Sequence, residues 1–204
     1  MNIRRNSFDE LCMAPRQRGV TMVEVLIAVF VLAVGLLGTA TLQVTSKRGN
    51  LEARDRVLTT VIAQGFIERM RMNPRALGVY TDSGLGRTLD GAGMAAVDCA
   101  VDCTEAQVAA LDLYDLEQAL AGAAEQLGGT AVGGLNSPRV CIDGPDGGSG
   151  TYTVAIAWRG LTRLSDPGLH ACGQGSGNYD TANGTQADVY RRVLLLDTYI
   201  AVPS

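Results

Sequence analysis

Arg16-Gln17-Arg18-Gly19-Val20-Thr21-Met22-Val23-Glu24, followed by the uncharged run Val25 to Leu42, is the stretch that decides how this chain is read. A short basic leader ends in glycine, and a long apolar segment follows with one carboxylate near its start. A secretory signal would place its small-residue cleavage site after the apolar core. Here the small residue, Gly19, stands before the run, so a cut after Gly19 leaves the whole hydrophobic segment on the mature protein.

The run from Val25 to Leu42 is 18 residues long and carries no charge. At 1.5 Å per residue a helix of that length is roughly 27 Å, close to the hydrocarbon thickness of a bilayer. The basic leader predicts a cytoplasmic N-terminus. Lys47, Arg48, Arg54 and Arg56 lie on the far side and oppose that orientation, yet a long domain is translocated largely regardless of its charge. The expectation is a single pass through a membrane, with the N-terminus inside and the body outside.

Glu24 is costly where it stands, by a few kcal/mol on insertion scales, so it needs a partner or a function. No side-chain cation lies within a helical turn of it. Cleavage after Gly19 would create one positive charge nearby, the new α-amino group of Val20. That amine, or the one on a neighbouring subunit, can pair with Glu24 in the low dielectric. The alternative is a glutamate snorkelling from the end of an ordinary anchor.

Outward from this segment, Ser46 to Met72 continues without proline, and Leu51, Leu58, Val61, Ile62, Phe66 and Met70 recur at spacings of three and four. Arg54, Arg56, Gln64, Glu68 and Arg71 fill the other positions. Asn73-Pro74 ends the pattern, because the residue before proline is pushed out of the α region. One helix of about 80 Å from Val20 to Met72 is expected. Gly35 and Gly38 are either points where it bends or a notch for helix packing.

Arg75 to Ala96, rich in Gly, Thr and Asp, reads as a loop. Thr104-Glu105-Ala106-Gln107 has the form of a capping box. Ala109, Leu113, Leu116, Leu120 and Leu127 then continue a helical stripe to Gly128-Gly129, with Asp112, Asp115 and Glu117 on a solvated face. Thr151 to Gly160 alternates, with Tyr152, Val154, Ile156 and Trp158 on one side, as a half-buried strand does. Tyr190 to Val202 reads as a second strand and Val140-Cys141-Ile142 as a third. The connections Asp143–Gly150 and Ser165–Asp188 are long and glycine-rich. Asp143 and Asp146 suit either a plain turn or calcium ligation.

The chain has 204 residues, 47% hydrophobic and 19% charged, enough for one ordinary domain plus a membrane segment. Residues 1–19 carry Arg4, Arg5, Arg16 and Arg18 against Asp9 and Glu10. With the whole chain at −4, the leader's +2 leaves −6 on residues 20–204. So acidic a body argues against direct nucleic-acid binding, which needs clustered Lys and Arg. Five cysteines are present, Cys12, Cys99, Cys103, Cys141 and Cys172. Removing the leader, or starting at Met13, discards Cys12 and leaves an even set suited to an oxidising compartment. Cys99 and Cys103 are four apart with no Cys/His set to complete a zinc site, which favours a local disulfide. Four cysteines allow three connectivities; Cys99–Cys103 with Cys141–Cys172 is the pairing expected.

Catalysis finds no support. The single histidine, His170, lies in a glycine-rich loop, so no His-based triad or multi-histidine metal site can be assembled. No phosphate-binding G-x-x-x-x-G-K-[ST] loop and no G-x-S-x-G elbow occurs. No cofactor or metal is expected.

The segment Gly19-Val20-Thr21-Met22-Val23-Glu24-Val25-Leu26, running on through Ile27 to Gly38, resembles the N-terminal motif of type IV pilins and pseudopilins. The resemblance implies that a prepilin peptidase cuts between Gly19 and Val20 and methylates Val20, and that Glu24 guides docking into a growing filament. Valine at position 20 stands where phenylalanine is usual, and Met22 where leucine is frequent. The block from Cys103 to Leu120, Val140-Cys141-Ile142, Tyr152 to Gly160 and Tyr190-Arg191-Arg192-Val193 resemble one minor-pilin subgroup, the PilV-type pilus modification proteins. The implied fold is α+β, a long N-terminal helix on a C-terminal antiparallel sheet with disulfide-closed loops. The implied organisation is a leader at 1–19, a membrane and assembly segment at 20–45 and an exported body at 46–204. The implied partners are the peptidase, the major pilin and other minor pilins, in the inner membrane and then in a pilus. A type II secretion pseudopilin and a simple bitopic exported protein are the alternatives.

Overall fold

The computed structural model describes residues 19–81, 98–99 and 102–203, and the backbone of 87–89. Residues 1–18 of the leader, with Cys12 and Met13, lie outside the described residues, as do positions 82–86 and 90–96 of the expected loop. The chain divides into two units, one up to Thr45 and one from Ser46 onward.

Helix α1 spans Met22–Met72. Asn73-Pro74 ends it as expected, and a 3-10 turn Pro74–Ala76 leads into α2, Leu77–Thr81. Strand β1 is Arg87–Leu89 and helix α3 is Glu105–Ala121. The short pair β2, Gln126–Leu127, and β3, Thr130–Ala131, precedes β4, Arg139–Asp143. Strands β5, Gly150–Arg159, and β6, Arg191–Ile200, complete the chain. The main sheet has the order β1-β4-β5-β6, antiparallel throughout.

In the second unit, α1 buries Thr59, Ala63, Phe66, Ile67 and Met70 against the sheet. The expected face is rotated. Val61 is 61% exposed, while Thr59 and Ala63 are fully buried. At 100° per residue Val61 lies nearly opposite Thr59, and the small side chains are the ones that let the helix close on the strands. Phe66 meets Tyr80 edge to face, with ring centroids 5.6 Å apart. Tyr80 and Leu77 belong to α2, so the stretch from Arg75 is not the plain loop its composition implied. An apolar pair three residues apart is enough to seat a single helical turn in the core, and Arg87–Leu89 pairs with β4 beyond it.

Helix α3 opens with both halves of the capping box between Thr104 and Gln107. It presents Ala109, Leu113, Leu116 and Leu120 to the core. It stops earlier than its stripe suggests. Gly122 takes a left-handed φ of 75° as C-cap, and a Cβ there would lie 2.3 Å from the backbone nitrogen of Gly134. Leu127 therefore falls in β2 and is 76% exposed. Asp112 and Glu117 are buried, not solvated. Asp112 is held by Arg69 Nη1 at 3.1 Å and by the Tyr80 hydroxyl at 2.6 Å, which is how a carboxylate is tolerated inside.

Strand β5 presents Tyr152, Val154, Ile156 and Trp158 to the helices. Its opposite face is covered too, contrary to the half-buried expectation. Ala155 and Ala157 lie under Cys172 and Tyr179 of the 160–190 connection. Small side chains at those two positions leave room for an irregular segment to pack flat on the sheet.

Candidate functional site

The head of α1 is built by Thr21. Its carbonyl accepts from the N–H of Glu24 at 3.0 Å and of Val25 at 3.3 Å, and its Oγ1 accepts from Glu24 N–H at 3.4 Å. Thr21 is thus the N-cap and Glu24 the third helical residue. The T-x-x-E spacing from Thr21 to Glu24 is the sequence form of a capping box, a signal overshadowed by the adjacent glycine and glutamate. The first turn is where the exposed amide N–H groups and the helix dipole favour a negative charge. Glu24 thus stands where the helix itself stabilises an anion.

Gly19 and Val20 lie just ahead of the helix in irregular backbone, and Val20 is 68% exposed. Extended, accessible chain is what a processing enzyme requires at a scissile bond. Every residue from Gly19 to Leu51 is exposed, and the most apolar 18-residue window of α1 has none of its residues buried. An apolar helix without protein cover needs lipid or other helices around it. The hydroxyls within and just past it bond to the helix itself, Thr39 to the Leu36 carbonyl at 2.9 Å and Thr41 to that of Leu37 at 3.0 Å. A Cβ added at Gly35 or Gly38 would meet nothing within 4 Å.

The body is pinned along α1 by side chains of buried or half-buried character. Glu52 Oε1 accepts from the N–H groups of Leu161 at 3.0 Å and Thr162 at 2.8 Å, and from Thr162 Oγ1 at 2.7 Å. Arg192 Nη2 adds a contact at 3.3 Å. Burial pushes the Glu52 carboxyl up, but those hydrogen bonds and the Arg192 charge outweigh it, and its pKa is held below the usual range. At the other end of the packed region Arg71 Nη2 donates to Thr198 Oγ1 at 2.6 Å.

The four body cysteines form Cys99–Cys103 and Cys141–Cys172. The second bridge ties β4 to the long connection, and His170 lies beside it. His170 Nδ1 accepts from the Cys172 N–H at 3.0 Å, so Nε2 carries the proton and donates to Asp143 Oδ2 at 2.7 Å. Asp143 is therefore spent on His170, and Asp146 lies against Gly78. Among the described residues no three His, Cys, Asp or Glu side chains come together at a metal-binding distance. The Tyr179 hydroxyl donates to the Ser137 carbonyl at 2.9 Å. Its pKa is pushed up to about 12, first by burial and then by Asp188, against the opposing charges of Arg139 and Arg191.

The described residues thus hold a long apolar helix with a glycine ahead of it and a carboxylate in its first turn, which suggests a membrane anchor, together with an α+β body. Two family models match the chain, the prokaryotic N-terminal methylation motif over residues 14–40 and the Tt1218-like type IV pilin model over residues 41–114. Over those residues the chain is similar to type IV pilins and to the N-terminal methylation motif, which supports a pilin-like subunit. No curated protein and no solved structure matches the chain.

Proposed function

We propose that this chain is a minor pilin that helps to initiate type IV pilus assembly or sits in the tip complex. In this reading prepilin peptidase cuts between Gly19 and Val20 and methylates the amine of Val20, and Glu24 then docks the subunit against a neighbour. The observation that carries it is the head of α1, a capped helix start with Glu24 in its first turn, exposed chain before it and an uncovered apolar helix after it. The blocks resembling PilV-type proteins favour a pilus over a type II secretion pseudopilin, which is the second reading. The N-terminus stays cytoplasmic until extraction, and the body is periplasmic.

The mass of the mature N-terminus tests this reading. A chain beginning at methylated or free Val20 is expected; one that still begins at Met1 or Met13 is an ordinary bitopic protein. Glu24→Ala is expected to leave cleavage intact and to impair assembly, and full piliation in that variant would remove the docking role. Loss of secretion with normal piliation in a deletion strain would favour the pseudopilin.

A further inference from the structure

Beyond α1, six large apolar side chains of the described body are exposed: Leu127, Val132, Leu161, Leu164, Leu169 and Tyr199. Four of them, Leu127, Val132, Leu161 and Leu164, sit in two loops tied to the first turns of α1 within the body. The loop after β5 is tied through Glu52, which holds the N–H groups of Leu161 and Thr162. The loop containing β2 and β3 is tied through Arg54, whose Nη2 donates to the Gly133 carbonyl at 3.4 Å and lies 3.9 Å from Glu125. The Arg159 N–H donates to the Asn136 carbonyl at 2.8 Å and brings the two loops to the same end of the sheet. Tyr199 lies at the other end, next to the strand residue that Arg71 holds.

Scattered exposed leucines need no explanation, but four on one end of a small domain do. What covers them is indicated by the residues just before Glu52. Lys47 and Arg48 are exposed and are the first charged residues after the apolar run, with four uncharged residues between Leu42 and Lys47. Basic side chains in that position reach for lipid phosphates while their stems lie along apolar surface. From Arg48 to Glu52 the helix rises only about 6 Å, within the depth of a headgroup layer. Arg163, exposed between Leu161 and Leu164, repeats the same pairing of a cation with apolar neighbours. Of the acidic groups at this end, Glu52 is engaged with Arg192 and Glu125 with Arg54, while Asp55, half-buried beside Arg54, has its carboxyl pKa raised by burial toward the neutral form.

We propose that this end of the body is a lipid-contacting face. Leu127, Val132, Leu161 and Leu164 enter the boundary between headgroups and acyl chains, and Lys47, Arg48 and Arg163 bind the phosphates of an anionic phospholipid surface. The rigid tethers through Glu52 and Arg54 hold both loops in place for this contact. The inference rests on the membrane-anchored reading of the apolar run and adds a second, peripheral attachment to it.

The test uses the full chain, with Cys12→Ser, in vesicles of phosphatidylethanolamine and phosphatidylglycerol. Nitroxide labels are placed singly by Leu127→Cys, Leu164→Cys, Tyr199→Cys and Leu36→Cys, and their collision rates with oxygen and with a water-soluble nickel chelate are compared. The expected result is an oxygen-to-nickel ratio at Leu127 and Leu164 several-fold above that at Tyr199 and below that at Leu36. A Leu36 label immersed in lipid with Leu127 and Leu164 as aqueous as Tyr199 overturns the face and spares the anchor. An aqueous Leu36 label overturns the anchor itself. Protection of Leu127 and Leu164 that appears only at high protein-to-lipid ratio assigns the face to a second copy and overturns the lipid contact.

Discussion

Arg191 is fully buried and closes on Asp166, whose Oδ1 accepts from Nε at 2.9 Å and lies 2.7 Å from Nη2 as an ion pair, without a hydrogen bond to that nitrogen. Nη1 of the same guanidinium donates to the carbonyls of His170 at 2.7 Å and Cys172 at 2.8 Å. One side chain from β6 thereby organises the connection that covers the outer face of the sheet. Arg191→Met removes the cation from Asp166, which keeps only the neutral donors Gln174 Nε2 at 3.1 Å and Gly168 N–H at 3.4 Å, and takes the same donor from two carbonyls. The expected loss is about 3–5 kcal/mol, the range for removing one partner of a buried pair. Denaturant unfolding measures it. Arg191→Lys is expected to recover little, because a point ammonium cannot serve that fork of acceptors.

The two disulfides close loops of different size, with sequence separations of 31 for Cys141–Cys172 and 4 for Cys99–Cys103. Loop-closure entropy assigns about 4 kcal/mol to the longer and about 2 kcal/mol to the shorter. Paired serine replacements at Cys141 and Cys172 are therefore expected to lower the melting temperature more than those at Cys99 and Cys103. Equal losses would remove the entropic ranking.

Glu52 makes the body sensitive to acid. Its folded-state pKa is depressed, so its contribution is complete above the ordinary glutamate range. That contribution is lost as the pH falls below about 4, through the folded value. Glu52→Gln is expected to cost about 1–3 kcal/mol at neutral pH, because a charge-assisted acceptor becomes a neutral one. It should also flatten the acid limb of the stability profile, measured by denaturant titration at several pH values. An acid limb as steep as that of the parent would show that Glu52 does not contribute to it.

Tyr179 acts at the alkaline end. With its pKa raised to about 12, it stabilises the fold fully below about pH 10 and loses that contribution as the pH rises through the folded value. Tyr179→Phe is expected to reduce the alkaline slope of stability while costing about 1 kcal/mol for the lost bond to Ser137.

Gly122 and Gly134 approach so closely that neither admits a Cβ, since each added atom would lie 2.3 Å from backbone of the opposing segment. Gly122→Ala also forces alanine into a left-handed φ of 75°. The cost is expected to exceed the roughly 1 kcal/mol of that φ alone, with the end of α3 losing amide-exchange protection first.

What could be read from the residues was what depends on local pattern. The helix through Met72, the stop at Asn73-Pro74, the capping box at Thr104 and the strands at Val140, Thr151 and Tyr190 all follow from periodicity, proline and cap chemistry. What escaped depends on approach between distant segments. Gly122 ends α3 because Gly134 comes against it, which no stripe of leucines foretells. Asp112 is buried because Arg69 and Tyr80 reach it from elements 43 and 32 residues away. The turn at Leu77–Thr81 is too short for periodicity to register, and the second face of β5 is closed by a connection that has no regular structure. Of the candidate site, Gly19, Val20 and Glu24 stand out in the sequence, whereas the T-x-x-E spacing at Thr21 is short and common enough to be decided only by its hydrogen bonds.

The two clasps on α1 have a mechanical consequence. Glu52 is held from Arg192 and Arg71 reaches Thr198, so β6 lies alongside the helix and is fastened to it at both ends of their shared length. That strand is bonded to β5 over ten register pairs. Tension along α1 between these clasps is therefore shared with the sheet as shear, in which many hydrogen bonds must fail together. The strand is a splint for the helix, and stretching the body should demand far more force along this axis than peeling the same strand from its end.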